Sequence, residues 1–122
     1  YVHRPVGDFV GAWKDMEKAV AMGKVRVSGI SNFDASDEVF DKIMRESVVK
    51  PAVLQMECHP YAQRLAMREK AKRYGIYVTS WFPLGGAMSK GALLKEERFF
   101  NMSLEEKERA YLGNIQIPAG RK

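Results

Sequence analysis

Apolar residues recur along the first eighty positions in two alternating patterns. Short runs rich in β-branched and aromatic residues, which are typical of strands, cover Val25–Ser31, Val53–Pro60 and Ile76–Trp81. Tyr1–Pro5 fits the tail of a further strand. Segments with apolar residues at helical spacing lie between these runs. The order β-α-β-α-β-α-β predicts parallel strands joined by right-handed crossovers.

Three helices are expected between the strands, each bounded by capping or breaking residues. Their limits are Asp8 to Gly23, Asp34 or Ser36 to Lys50-Pro51, and about Gln63 to Tyr74 with Gly75 as the stop. Apolar side chains give the first two helices one buried face each, formed by Phe9, Trp13, Met16 and Val20 and by Val39, Phe40, Ile43 and Met44.

Polar or aromatic side chains recur where the predicted strands end. His3, Ser31, Gln55 and Trp81 are separated by 28, 24 and 26 positions. This βα period favours a barrel or a doubly wound sheet over a solenoid with a repeated consensus. Ligands of α/β proteins bind at the carboxyl edge of the strands, so these positions are the candidate site.

The length of 122 residues limits the architecture. Four strands cannot close an eight-stranded barrel, which typically needs about 250 residues. We therefore expect a partial (β/α)8 TIM barrel, with about four parallel βα units in residues 1–94 and a tail in residues 95–122. The tail contains Ser103-Leu104-Glu105-Glu106, a capping-box pattern that predicts a short helix.

Composition favours a cytoplasmic protein without a membrane partner. No apolar run approaches the roughly 20 residues that span a bilayer, and the chain starts without the pattern of a signal peptide. Cys58, the only cysteine, cannot form an internal disulfide, which fits a reducing compartment. Its neighbour His59 offers a second metal ligand, but no further ligand pair has suitable spacing, so we expect no metal.

The net charge of +5 has its densest contribution in the third predicted helix. Arg64, Arg68 and Lys72 follow one helical stripe at four-residue intervals. Such a stripe forms a nucleic-acid surface in some proteins and a solvated helix face in most. We favour the solvated face and expect no nucleic-acid partner, because neither interleaved aromatic residues nor a nucleic-acid-binding motif accompanies the charges.

Several motifs together resemble one enzyme family, the aldo-keto reductases. Val2-His3-Arg4-Pro5 and the helix around Ala12–Glu17 are similar to one stretch of that family, and three strand ends follow it in the same order and spacing. These are Gly29-Ile30-Ser31-Asn32-Phe33, Gln55-Met56-Glu57-Cys58-His59-Pro60-Tyr61 and Trp81-Phe82-Pro83-Leu84-Gly85. The resemblance covers about residues 1–94, and Ser80–Gly86 looks like the bacterial members.

The resemblance implies the NADPH-dependent reduction of an aldehyde or ketone to an alcohol by hydride transfer on a (β/α)8 barrel. It makes His3 the catalytic histidine that orients the substrate carbonyl. It assigns cofactor binding to six residues: Ser31, Asn32 and Gln55 on the nicotinamide carboxamide, Trp81 on the nicotinamide ring, and Leu84 and Gly85 beside the pyrophosphate.

Other parts of the family pattern have no match in this sequence. The family's proton-donating tyrosine, with the lysine and aspartate that tune it, precedes the position of His3, and the join near Leu93–Glu96 resembles an internal deletion. We therefore expect the 122 residues alone to be inactive and a complete reductase containing them to be the enzyme. Two alternatives stay open: an inert half barrel that self-associates through its open strand edges, and a non-catalytic NADPH-binding module.

Overall fold

The computed structural model describes residues 1–59 and 62–83. Within this part of the chain, three helices alternate with three strands. In chain order they are α1 (Phe9–Ala21), β1 (Gly29–Ser31), α2 (Asp37–Glu46), β2 (Val53–Glu57), α3 (Leu65–Arg73) and β3 (Tyr77–Trp81). The strands form one parallel sheet in the order β1-β2-β3. The predicted α/β class with parallel strands is therefore confirmed.

The expected fourth strand at the start of the chain is reduced to one parallel bridge. Val2 pairs with Ile30, its N–H donating to the carbonyl of Gly29 at 3.0 Å and its carbonyl accepting from the N–H of Ser31 at 2.9 Å. The described part of the sheet thus contains three strands and a single bridged residue rather than four strands. The bridge lies next to β1, so the spatial order of the segments follows their order in the chain.

The predicted strand from Val25 was too long, because β1 begins only at Gly29. Val27 is 65% exposed despite its β-branched side chain. Strand formation requires a partner, and β2 offers one only from Val53, which pairs with Gly29. Tertiary pairing therefore overrides the local β preference of residues 25–28.

Helix α1 has the limits that the sequence predicts. Asp8 is its N-cap, with the carboxylate accepting a hydrogen bond from the N–H of Gly11 at 2.8 Å. Trp13 is buried on the face predicted for the core. Gly23 follows the C-cap with φ of +70°, a left-handed conformation that favours glycine.

Helix α2 begins as predicted but ends earlier. Ser36, one of the two proposed caps, accepts a hydrogen bond from the N–H of Val39 at 3.2 Å. The helix ends at Glu46, four residues before Lys50, because Ser47 adopts an extended conformation and its N–H and hydroxyl both bond to the carbonyl of Ile43. The stop is therefore a serine C-cap rather than the proline.

The elements that follow are also slightly shorter than predicted. Strand β2 ends at Glu57, and His59 forms an antiparallel bridge with Ala62. Helix α3 begins at Leu65, after Arg64 with φ of +51°, and the left-handed Gly75 follows its end. The predicted tail of residues 95–122 and its helix lie outside the described residues.

The core lies on one face of the sheet, beneath the helices. Ile30 of β1 pairs with Leu54 of β2, and both side chains are fully buried. The other buried apolar side chains of this cluster are Trp13, Phe33, Phe40, Ile43, Met44, Met56, Met67, Ala71 and Ile76. The opposite face of the same strands therefore remains for polar groups.

The chain divides into two compact units. The first contains Tyr1–Met56 and Met67–Thr79, and therefore the core and the β1–β2 pairing. The second contains Glu57–Ala66 and Ser80–Lys122. Within the second unit, the hydroxyl of Ser80 donates to the carbonyl of Cys58.

Candidate functional site

Ser31 and Gln55 lie side by side on the sheet face opposite the core. They are register partners in the parallel β1–β2 pairing, one position beyond the buried pair Ile30 and Leu54. Since successive side chains of a strand point to opposite faces, the burial of Ile30 and Leu54 places Ser31 and Gln55 on the other face. Ser31 is 2% exposed, and Gln55 is half-buried.

His3 is placed beside these two residues by the bridge at Val2. Val2 pairs with Ile30 and packs against the core cluster. The next residue, His3, follows this bridge, and its backbone is held beside Ser31 by the hydrogen bond from the Asn32 side chain to the His3 carbonyl. The structure brings together three of the predicted residues, His3, Ser31 and Gln55, at the carboxyl ends of neighbouring segments.

Asn32 links these segments through both its backbone and its side chain. Its N–H donates to the carbonyl of Gln55 at 2.9 Å. Its side-chain amide donates to the backbone carbonyl of His3 at 3.0 Å and contacts the hydroxyl oxygen of Ser31 at 3.2 Å. Its backbone is left-handed, with φ of +62°, a conformation that asparagine tolerates better than most residues.

Two polar side chains of this face are available to a ligand. Neither the imidazole of His3 nor the amide of Gln55 hydrogen-bonds to another residue in the part of the chain that the structure describes. His3 is exposed, and Gln55 is half-buried. An amide that offers both a donor and an acceptor, next to an exposed imidazole, can bind a small molecule carrying amide and carbonyl groups.

The remaining predicted site residues belong to the second unit. Trp81 is half-buried at the end of β3, and its ring packs edge-on against Phe82 with centroids 4.8 Å apart. Leu84 and Gly85 lie outside the described residues. The roles proposed for these three residues stay predictions.

Glu57 of the second unit has a defined environment that the sequence did not reveal. One carboxylate oxygen lies 3.2 Å from Nε2 of His59, and the other lies 3.6 Å from Nη2 of Arg64. The His59 side chain is only 12% exposed. The His59 ring is therefore packed and lies within hydrogen-bond distance of a carboxylate, which is typical of a structural histidine.

Sequence reasoning also missed two structural roles near the candidate site. The side-chain contact of Asn32 with the backbone of His3 joins residues 29 positions apart, which no local pattern indicates. The ring of Tyr1 lies against Gly29, where an added Cβ would come within 2.8 Å of the ring. In the sequence, the one sign of a left-handed turn was an asparagine directly after a predicted strand.

Residues 1–59 and 62–83 contain neither a candidate metal cluster nor a candidate membrane-spanning helix. No group of three or more histidine, cysteine, aspartate or glutamate side chains in this part could hold a metal ion. None of its helices is both long and apolar enough to traverse a bilayer.

Comparisons with known proteins agree on one family. A model described as the Aldo/keto reductase family matches residues 1–119. An uncharacterized oxidoreductase of Schizosaccharomyces pombe is 47% identical over 73 residues, which cover 60% of this chain and 22% of the relative. Aldo-keto reductase family 1 member A1 of Gallus gallus is 40% identical over 78 residues, covering 64% of this chain and 23% of the relative.

A solved structure gives the same result for the fold. The crystal structure of an aldo/keto reductase from Brucella melitensis superposes with a TM-score of 0.63 at 30% sequence identity. The match covers 68% of this chain and 33% of that structure. The chain thus spans less than a quarter of either curated relative and about a third of the solved structure.

Proposed function

The chain belongs to the aldo-keto reductase family, and from this premise we propose that a complete reductase containing it reduces an aldehyde or ketone with NADPH. The observation that carries the proposal is that His3, Ser31 and Gln55 occupy neighbouring positions at one edge of the sheet. Three neighbouring segments present these side chains at their carboxyl ends, the edge at which barrel enzymes of this architecture bind their ligands.

The residues of this face fit the carboxamide of a nicotinamide cofactor. A carboxamide has an acceptor oxygen and a donor nitrogen, and the amide of Gln55 offers the complementary pair. The hydroxyl of Ser31 lies beside it in register. We therefore propose that Ser31, Asn32 and Gln55 hold the cofactor, with NADPH supplying the hydride when bound.

His3 is proposed to act on the substrate rather than on the cofactor. The carbonyl oxygen of an aldehyde or ketone gains negative charge as the hydride reaches the carbon. A donor aimed at that oxygen lowers the barrier, because it interacts more strongly with the transition state than with the ground state. The exposed imidazole of His3 is such a donor, and it also orients the carbonyl.

The other proposed elements rest on the family resemblance and, for the compartment, on composition. Trp81 would stack on the nicotinamide ring, Leu84 and Gly85 would lie beside the pyrophosphate, and the cytoplasm would be the compartment. The complete protein would be a closed (β/α)8 barrel, since the matched structure is about three times longer than the matched stretch.

Carbonyl-dependent loss of NADPH absorbance, measured on the purified natural protein that contains these residues, tests the proposal. We expect turnover that falls by at least about 100-fold in His3→Ala, because removing one donor to a developing oxyanion commonly costs this much. Gln55→Ala should weaken NADPH binding about 2- to 10-fold, which corresponds to one hydrogen bond. Trp81→Ala should reduce both binding and turnover.

Lys14→Ala, on an exposed position of α1, is the control that should leave the assay unchanged. Turnover that survives both His3→Ala and Trp81→Ala would overturn the site. NADPH binding without turnover would favour a binding module instead. An intact mass near 13.9 kDa together with neither binding nor turnover would favour an inert half barrel.

A further inference from the structure

Asn32 makes contacts that its assignment to the cofactor does not explain. Its side-chain nitrogen lies 3.0 Å from the backbone oxygen of His3 and 3.2 Å from the hydroxyl oxygen of Ser31. An amide nitrogen carries two hydrogens, so these two contacts account for both donors. Both N–H donors of the Asn32 side chain are therefore used in contacts within the protein.

The contact with His3 lies where regular strand pairing has stopped. Val2 is the last residue bridged to β1, and the N–H of Ser31 donates to its carbonyl at 2.9 Å. The next carbonyl, that of His3, accepts from the side chain of Asn32 instead. The asparagine amide thus extends the pairing by one residue. That residue is His3, whose imidazole is proposed to bind the substrate.

Backbone contacts of Asn32 fix the position from which its side-chain amide extends. Its N–H is bonded to the carbonyl of Gln55 at 2.9 Å, so the residue is anchored to β2. Its φ of +62° turns the chain out of β1 and brings the side chain back over the sheet edge. One residue therefore connects the segment of His3, the end of β1 and the end of β2.

We propose that Asn32 is a positioning residue for His3. By holding the His3 backbone carbonyl, it fixes the point from which the imidazole extends relative to Ser31 and Gln55. The reaction needs donor and carbonyl aligned to a fraction of an ångström, and a shift of about 1 Å commonly costs a factor near 100 in rate. The catalytic part of this inference rests on the proposed function of the site.

Two substitutions separate the amide contact from the backbone conformation. Asn32→Gly removes the amide while glycine adopts positive φ without steric cost. Asn32→Asp keeps the size and the tolerance for positive φ, but its carboxylate cannot donate to the His3 carbonyl. If the contact of the Asn32 amide with the His3 carbonyl positions His3, both variants should therefore show the same defect in His3 placement.

The first readout is the imidazole NMR signal of His3 in the full chain without cofactor. The chain has two histidines, so His59 is an internal reference, and His3→Ala identifies the His3 signal. We expect both Asn32 variants to shift or broaden the His3 signal while the His59 signal stays in place. Unchanged His3 signals in both variants would overturn the positioning role.

The second readout, measured on the complete reductase that contains the chain, is the division of the kinetic effect between kcat and the KM for NADPH. Positioning predicts that kcat falls about 10- to 100-fold in both variants, in addition to the rise of about 2- to 10-fold in the KM for NADPH that loss of one cofactor hydrogen bond would cause. Gln55→Ala is the matched comparison, with a raised KM and an unchanged His3 signal. A raised KM with unchanged kcat in the Asn32 variants would assign Asn32 to cofactor binding alone and overturn the inference.

The two readouts also separate this inference from the proposed function. If a complete reductase containing the chain shows no turnover with any carbonyl, the proposed function fails, yet the NMR comparison still tests whether Asn32 holds His3. Circular dichroism of each variant, matched to the unmodified chain, shows that a change in the His3 signal is local rather than a result of unfolding.

Discussion

Glu17 of helix α1 forms hydrogen bonds with the loop between α2 and β2. One of its carboxylate oxygens accepts hydrogen bonds from the N–H groups of Val48 and Val49, each at 2.8 Å, and from the indole of Trp13 at 3.1 Å. Val48 is 87% exposed, so burial of its side chain cannot hold the loop. Hydrogen bonds to Glu17 hold the loop instead.

Replacing Glu17 with alanine should destabilise the chain. The substitution leaves two backbone donors and one indole without this acceptor, and we expect a loss of about 1–2 kcal/mol in the free energy of unfolding, since hydrogen bonds to a charged group are stronger than neutral ones. Glu17→Gln retains an acceptor oxygen and should lose less. Urea denaturation measures both, with the exposed Lys14→Ala as control; equal stability of Glu17→Ala and Lys14→Ala would contradict the role.

Gly29 permits close packing at the start of β1. An added Cβ would lie 2.7 Å from the backbone oxygen of Val53 and 2.8 Å from a ring carbon of Tyr1. The tyrosine ring can move aside, but the carbonyl of Val53 is part of the paired strand. Movement of the ring therefore relieves the overlap with Tyr1 but not the overlap with the carbonyl of Val53.

Gly29→Ala should accordingly cost about 1–3 kcal/mol, the usual range for overpacking. Thermal or urea unfolding gives the loss. Adding Tyr1→Ala to the same chain should recover only the part of the lost stability that is caused by overlap with the tyrosine ring, because the contact with Val53 remains. Full recovery in the double variant would mean that the carbonyl shifts freely and that glycine is not required by the pairing.

Among the elements, helix limits were more predictable from sequence than strand limits. Asp8, Ser36 and Gly75 act within a few residues of their own positions, so local patterns identify them. Strand β1 depends instead on where Val2 and Val53 meet it. Those contacts lie far apart in sequence, which is why Val25–Ser28 was wrongly included.

The same distinction explains what the sequence predicted of the candidate site. Ser31 and Gln55 were placed together because strand alternation and parallel order are regular. The bond from Asn32 to the His3 backbone depends on one left-handed residue reaching across the sheet edge. Periodicity contains no information on such a bond.

Helices α2 and α3 are joined by an ion-pair cluster around Lys70. Its ammonium lies 2.8 Å from Asp37 and 2.7 Å from Asp41, and 5.3 Å from the centre of the Phe40 ring. Partial burial acts to lower the pKa of Lys70, but hydrogen bonds and attraction from the two aspartates outweigh it and raise the pKa above 10.5. The charged form is thus favoured in the folded chain.

The raised pKa predicts the direction of a pH effect. A lysine whose pKa is higher in the folded state contributes stability that is complete below its unfolded value of 10.5 and is lost as pH rises through the folded value. Lys70→Met should cost at most about 1 kcal/mol at neutral pH, because the Asp37 side chain is largely exposed to solvent and the Asp41 side chain is nearly half exposed. The difference in unfolding free energy between this variant and the parent should shrink above pH 10.5; a difference that grows there would contradict the assignment.

For the whole molecule, ligand binding and folding are expected to be linked. The proposed cofactor face is assembled from segments 1–3, 29–32 and 53–56, which come together only in the folded sheet. A ligand that binds the folded state alone stabilises it by RT ln(1 + [L]/Kd), or about 2.7 kcal/mol at one hundred times Kd. The thermal midpoint should therefore rise with the logarithm of NADPH concentration.

This linkage separates a binding defect from a folding defect. Gln55→Ala should have nearly the parent midpoint without cofactor, because its side chain hydrogen-bonds to no other residue in the described part of the chain, and a smaller rise with NADPH. Glu17→Ala should show the reverse, a lower starting midpoint with an undiminished rise, because Glu17 holds a loop and not the ligand. An unmodified protein whose midpoint does not respond to NADPH would refute cofactor binding at this face, whatever the stability of the variants.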